Sequence, residues 1–155
     1  VELNEAADLA IVSCCGHPKD INFIQAHKAL DYGVQAVRPG GTLILLAACP
    51  DGFGNPTFFD WFNYEDLDVF EKALRSRYEI NGQTAYATLA KARSWRVILV
   101  SEFSREQTER MGMEKADSLD EALQMAHKKL PADPDVVVIP DGGMILPVIH
   151  TKQDV

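Results

Sequence analysis

Four short apolar runs constrain this chain more than any other feature. Leu9-Ala10-Ile11-Val12, Thr42 to Cys49, Arg96 to Ser101 and Asp135 to Ile139 are continuous rather than alternating in their apolar residues. Successive side chains of a strand point to opposite faces, so a continuous run indicates burial on both faces. Between the runs lie stretches of helical spacing, long enough to cross from one parallel strand to the next. Strands at 8–14, 42–49, 96–101 and 135–139 predict an α/β fold. It is a three-layer sandwich, Rossmann-like, with a mainly parallel sheet of about four strands.

The first helix is expected over 21–38, with Asp20 or Asn22 as its N-cap. Phe23, Ala26, Leu30, Val34 and Val37 recur on one face, and Asn22, Gln25, Lys28, Tyr32 and Gln35 share the other. Pro39-Gly40-Gly41 is read as its end. The stretch from Pro50 to Pro56 is too polar and Gly-rich for a core element. Shorter helices are expected at about 57–63, 65–76 and 83–94. Ser104 caps a helix running to Met111, and Ser118 caps one running to Leu130, with Glu121 placed as in a capping box. No repeat, low-complexity segment or linker divides residues 1–155, which read as a single domain.

Composition excludes some partners. The 155 residues are 46% apolar, enough for a real core, with a net charge of -8. An acidic surface argues against binding nucleic acid or an anionic membrane. No apolar run approaches the ~20 residues of a membrane span, and no signal-peptide pattern is present. Three cysteines, Cys14, Cys15 and Cys49, fit reduced thiols in the cytoplasm better than a disulfide framework. Zinc is a poor reading of Cys14, Cys15 and His17, because adjacent strand residues point to opposite faces and no second ligand pair follows. Val1 rather than Met at the start suggests a fragment or a processed product.

The chemistry concentrates between Gly16 and Lys28. A strand that ends in a Gly/Pro turn and feeds a helix N-terminus is a common place for an α/β protein to hold an anion. Gln25 and Lys28, three residues apart, are neighbours on that helix. Lys28 near the positive helix end gains nothing from the dipole, whereas an anion between them is favoured by both. The pattern points to a carboxylate or a phosphate. His17, in the turn, reads equally as a ligand residue or a turn cap. Asp20 reads first as an N-cap. Asp141-Gly142-Gly143 reads first as a turn, and His27 as a packed core histidine. Trp61 with Phe58, Phe59 and Phe62 either packs the loop or meets another domain.

The stretch Gly16-His17-Pro18-Lys19-Asp20-Ile21-Asn22, followed by Gln25-Ala26-His27-Lys28-Ala29-Leu30, resembles the C-terminal domain of the nickel-dependent lactate racemase family. Ala36 to Thr42, the Gly52-Phe53-Gly54-Asn55 loop with Phe58 and Trp61, and Ile139-Pro140-Asp141-Gly142-Gly143 with Pro147 match the family in order. The resemblance implies one domain of a two-domain enzyme that interconverts stereoisomers of 2-hydroxy acids. It implies a nickel-pincer nucleotide bound by an N-terminal domain, which also carries the acid/base histidines and is absent from this chain. The partners implied are that domain and a small 2-hydroxy-acid substrate. It implies that Gln25 and Lys28 face the substrate, and that the chain alone is inactive. Two positions depart from the family pattern: Ile24 where Tyr is common, and the region of Thr84 where Trp is common. Both shrink the aromatic wall, which implies a substrate bulkier or more polar than lactate.

Two other readings compete. Val37 to Leu45 resembles the strand entry of methyltransferase-like folds, but no Gly-x-Gly-x-Gly loop follows the first strand. A noncatalytic domain that binds an anionic metabolite would share the Lys28 site.

Overall fold

The computed structural model describes residues 1–150. In chain order it comprises β1 (Glu2–Leu3), β2 (Ala7–Ser13), α1 (Phe23–Gly33), β3 (Val37–Leu46), α2 (Leu67–Ser76), α3 (Gly82–Ser94) and β4 (Arg96–Val100). Then follow α4 (Arg105–Arg110), β5 (Glu114–Ala116), α5 (Leu119–His127), β6 (Val136–Ile139) and β7 (Val148–Ile149). Five strands form one parallel sheet in the order β5-β4-β3-β2-β6, and β1 pairs in parallel with β7 beside it. The four expected strands are all present. The fifth, β5, escaped the sequence because three residues, Glu-Lys-Ala, carry no apolar run.

From β2 the sheet grows outward through β3 and β4 to β5, and the chain then returns to place β6 on the other side of β2. Right-handed crossovers in opposite directions put their helices on opposite faces. Accordingly Phe23, Ala26 and Leu30 of α1 and Ala85 and Leu89 of α3 join one apolar cluster, whereas Ala122 and Ala126 of α5 meet Leu9, Ile44 and Ile98 in another. Leu43, Ile44, Leu45, Ile98 and Leu99 are fully buried. Each contributes about 1.5–3 kcal/mol of transfer free energy, which explains why the central strands read as unbroken apolar runs. Phe58, Trp61 and Phe62 are buried in the main cluster, so these aromatics pack their loop.

The first helix is shorter than expected. α1 ends at Gly33, a single 3-10 turn covers Val34–Ala36, and β3 already starts at Val37. Pro39-Gly40-Gly41 lies within a bulge of β3, since pairing with β2 jumps from Ala7–Val37 to Leu9–Thr42. Asp8 fixes this bulge: it is buried, forms an ion pair with Arg38 and accepts the Asp135 amide at 2.9 Å. Caps match the sequence more closely. Ser104 and Gln107 form a reciprocal capping box. Ser118 accepts the Glu121 amide at 3.1 Å, but the Glu121 carboxylate reaches one residue further back, to the Asp117 amide at 2.7 Å. Among the described residues no helix is long and apolar enough to cross a membrane.

Candidate functional site

The strand order reverses between β2 and β6, and the crevice outside the carboxyl ends of those strands is where open α/β sheets bind ligands. Two turns meet there. The turn after β2 begins with Cys15 and Gly16, both left-handed with φ of 67° and 73°. The turn after β6 is Pro140 to Gly143. Lys19 of the first donates to Asp141 Oδ2 of the second at 2.6 Å. This hydrogen bond raises the Lys19 ammonium above its usual range. Gly142 makes the close approach possible: a Cβ there would sit 2.3 Å from Val12 Cγ1 and 2.9 Å from the Ala29 Cβ. Its amide donates to the Ser13 carbonyl at 2.8 Å.

A recess of about 120 Å³ opens at this junction. Ala26 and Ala29 of α1 line it with Cys14, Gly143 and Met144, and Gln25, Lys28 and Lys19 supply its polar groups. Ligand pockets usually measure about 300–1,000 Å³, so the recess by itself is smaller than a typical ligand pocket. Its local charge opposes that of the whole chain. Lys19 is neutralised by Asp141, but among the described residues no carboxylate pairs with Lys28. Gln25 and Lys28 are both exposed. An ammonium and a carboxamide on one helical face can bind a carboxylate through charge and directed hydrogen bonds. Burial, helped by Asp20 and Asp141, pushes the Cys14 thiol up to about 12, so it lines the recess as a neutral, weakly polar group.

The first turn of α1 differs from the sequence expectation. Its backbone amides are not free for an anion. Phe23 donates to the Gly52 carbonyl at 2.9 Å, Ile24 to Phe53 at 3.2 Å, and Ala26 to Asn22 at 3.0 Å. Gln25 donates to Asn22 Oδ1 at 3.0 Å, so Asn22 is the N-cap. Gly54 lets the Asn22 side chain lie flat against the loop, since a Cβ there would be 2.5 Å from Asn22 Cγ. The carbonyls of the Gly-rich loop thus occupy the Phe23 and Ile24 amides that could otherwise have met an anion.

Asp20 is not the helix cap. It is buried, accepts the Ala48 amide at 3.0 Å through Oδ2, and its carbonyl accepts the Cys49 amide at 2.9 Å. It faces a separate groove across the ends of β2, β3 and β4. His17 is exposed in its turn and does not line the recess. Thr84 is half-buried on α3, where its carbonyl accepts the Thr88 hydroxyl at 2.8 Å, also outside the recess lining. Ile24 packs against the main apolar cluster. His27 is half-buried rather than in the core, bonded to the Ile24 carbonyl and 3.7 Å from Asp31. Of the recess residues, sequence reasoning did not single out Lys19 or Met144; it weighed Cys14 only as a poor zinc ligand, and Gly143 first as part of a turn and second as part of a weaker strand-end site. A basic residue in one strand-end turn and an acidic residue in another was the available signal for Lys19 and Asp141. Among the described residues no three His, Cys, Asp or Glu side chains gather as metal donors.

Comparison with known proteins identifies the family of the chain. The family model described as "Lactate racemase C-terminal domain" matches residues 3–147. The lactate racemase of Thermoanaerobacterium thermosaccharolyticum is 35% identical over 146 residues, covering 90% of this chain and 34% of that protein. The lactate racemase of Lactiplantibacillus plantarum is 32% identical over 148 residues, with the same coverage of 90% and 34%. The chain therefore spans about a third of the length of these curated relatives. The structure of the Thermoanaerobacterium lactate racemase apoprotein superimposes with a TM-score of 0.85 at 30% identity, over 96% of this chain and 37% of that one. A protein from Thermotoga maritima shares the fold, with a TM-score of 0.63 at 14% identity over 97% of this chain and 39% of its own. With the family model matching nearly the whole chain, the protein belongs to the lactate racemase C-terminal domain family.

Proposed function

We propose that this domain forms one wall of the active-site cleft of a 2-hydroxy-acid racemase or epimerase, with Lys28 and Gln25 holding the substrate carboxylate. The observation that carries the reading is Lys28, with no carboxylate partner among the described residues, beside Gln25 in a recess at the sheet's switch point. Membership of the lactate racemase family supports the reaction class. Stereoinversion at a hydroxyl-bearing carbon needs the substrate fixed while that carbon changes configuration. A point charge on the carboxylate, with a neighbouring amide to set its orientation, does this without touching the reacting carbon.

The described residues offer no set of three His, Cys, Asp or Glu side chains that would hold nickel. In this reading the nickel-pincer nucleotide and the acid/base groups belong to an N-terminal domain, the partner that closes the recess. The site of action is the cytoplasm. The methyltransferase-like alternative gains nothing: the turn after β2 has no Gly-rich phosphate loop, and the α1 amides are already engaged.

The test is a panel of enantiopure 2-hydroxy acids, assayed for stereoinversion with the full-length protein and with residues 1–155 alone. Inversion by the full-length protein and none by the fragment is expected. Neither Ile24, which packs against the main cluster, nor Thr84 lines the recess, so the two departures from the family pattern give no ground here for a substrate larger than lactate. Inversion by the pure fragment would overturn the assignment of the chemistry to another domain.

A further inference from the structure

Two ammonium groups line the recess, Lys19 and Lys28, and among the described residues only Lys19 has a carboxylate beside it. That partner is Asp141, at 2.6 Å through Oδ2. The two side chains are 40% and 28% exposed, so solvent reaches the pair. Ion pairs this accessible contribute little to stability. Nor is the pair needed to join its two turns, since the Gly142 amide already donates to the Ser13 carbonyl at 2.8 Å. Asp141 also carries a cost. Its Oδ1 is buried and accepts no hydrogen bond among the described residues. A buried acceptor left without a donor lowers stability. Stability thus gives little reason for an aspartate at this position, and the recess beside it gives a better one.

That reason is charge. Two ammonium groups against one carboxylate leave the recess a single positive charge, and among the described residues no other charged side chain lines it. Asp20 follows Lys19 in the chain but faces the groove across the ends of β2, β3 and β4, where its Oδ2 accepts the Ala48 amide. Cys14 is a neutral thiol. One ligand carboxylate balances a single positive charge. A second carboxylate on the same ligand would find Lys19 already held. Both the Asp141 charge and the net -8 of the chain would repel it. Lys19 could otherwise serve a ligand. Its backbone is fixed, with the amide donating to the Gly16 carbonyl at 2.9 Å, but its four-carbon stem is flexible. Without Asp141, that ammonium would be free to take a second carboxylate.

We propose that Asp141 determines specificity: by engaging Lys19 it leaves the recess one positive charge, and so selects 2-hydroxy acids with a single carboxylate against those with two. Specificity is a difference of affinities, and a charge placed against the wrong ligand contributes to it as much as a contact to the right one. Asp141 acts through Lys19 and touches no substrate, so it is a positioning residue. The inference rests on the reading that Lys28 holds a substrate carboxylate, and it adds the pair that sets which acids are accepted.

The test is calorimetric binding of malate and of its 4-amide, malamate, to the full-length protein. The two acids match in size and differ by one charge, so the ratio of their affinities reads charge and cancels any general loss of binding. Wild type should bind malamate more tightly, by about threefold. Asp141→Asn should move the ratio about fivefold toward malate. Lys19→Met, which leaves Asp141 unpaired, should move it the other way. The double variant has a single positive charge again and should return to the wild-type ratio. A pair that only fastens the two turns would weaken both acids alike. A ratio fixed within about 1.5-fold across the variants would therefore overturn the proposal, as would a wild type that prefers malate. If Asp141→Asn fails to fold, an unmoved ratio in Lys19→Met overturns it by itself. Binding of lactate but of neither larger acid would also overturn it, because charge would then not be what excludes the second carboxylate. Lactate titrated into Lys28→Met separates the two readings. Lactate held as well as by wild type, with the malate ratio following the charges at 19 and 141, would break the Lys28 reading and leave this one standing. Lactate lost, with a fixed ratio, would break this one alone.

Discussion

Two regions share the start of α1 and are held together by opposite means. On one side Phe23 enters an aromatic shelf: Phe53 stacks on Phe59 at 4.5 Å and on Phe103 at 4.6 Å, with Phe58 beneath. On the other, Gln25 and Lys28 line the recess, whose outer rim is joined by one ion pair, Lys19–Asp141. The shelf is apolar and contains the residues that the loop needs in order to fold. The recess sets the polar groups of Gln25, Lys28 and Lys19 among Ala26, Ala29, Cys14 and Met144, and the Lys28 ammonium has no carboxylate partner among the described residues. Loop and recess are coupled through backbone rather than side chains. The Gly52 and Phe53 carbonyls that anchor the shelf also occupy the α1 amides that could otherwise have bound an anion.

The sharpest way to break the contrast is to remove a ring from the shelf. Phe58 is fully buried, so Phe58→Ala should cost about 3–5 kcal/mol of stability in a denaturant titration. By contrast Lys28→Met, at an exposed position, should change the same titration by no more than about 0.5 kcal/mol. Comparable losses for both would mean that the recess is structural.

Thiol reactivity probes the floor between the two regions. Burial is the first cause that raises Cys14 and Cys49 to about 12 each. At pH 8 a thiol of that pKa is about one part in ten thousand thiolate, whereas Cys15 is exposed. Iodoacetamide should therefore label Cys15 in the folded protein and reach Cys14 and Cys49 only on unfolding. Labelling of Cys14 as fast as Cys15 would show that the recess opens into the core.

The smallest effect lies far from both regions and serves as their control. Arg96 hydrogen-bonds Glu114 and lowers its carboxyl below the ordinary value of 4.5. A depressed carboxyl adds stability above the unfolded value, and that stability is lost as pH falls through the folded one. Glu114→Gln should thus flatten the acid limb of stability below pH 4.5. The change should be slight, because the Glu114 side chain is 39% exposed and solvent screens the pair. An unchanged acid limb would show that the Arg96 contact carries no stability.

Much of this was legible in sequence. The four long strands announced themselves through unbroken aliphatic runs, and Ser104 and Ser118 through their caps. The Gln25–Lys28 pair followed from helical spacing alone. What was missed depends on long-range contact. Asp20 looks like a cap because it precedes a helix, but the Ala48 amide claims it from a distant strand end. Lys19 acquires its position only when β6 inserts beside β2 and brings Asp141 within reach. Pro39-Gly40-Gly41 reads locally as a helix stop, yet the register of β2 against β3 turns it into a bulge. The Gly-rich loop gave no hint that its carbonyls would cap α1, because backbone acceptors carry no sequence signature.

The central claim is that Lys28 supplies the charge that holds a substrate carboxylate. Calorimetric binding of an enantiopure 2-hydroxy acid to the full-length protein, wild type against Lys28→Met and Lys28→Ala, tests it most directly. Both variants should bind more weakly by about 2–3 kcal/mol, the scale of a lost charge-assisted hydrogen bond, with the unfolding transition unmoved. Binding within about twofold of wild type in both variants, less than about 0.5 kcal/mol, would contradict the account and return Lys28 to the solvated surface.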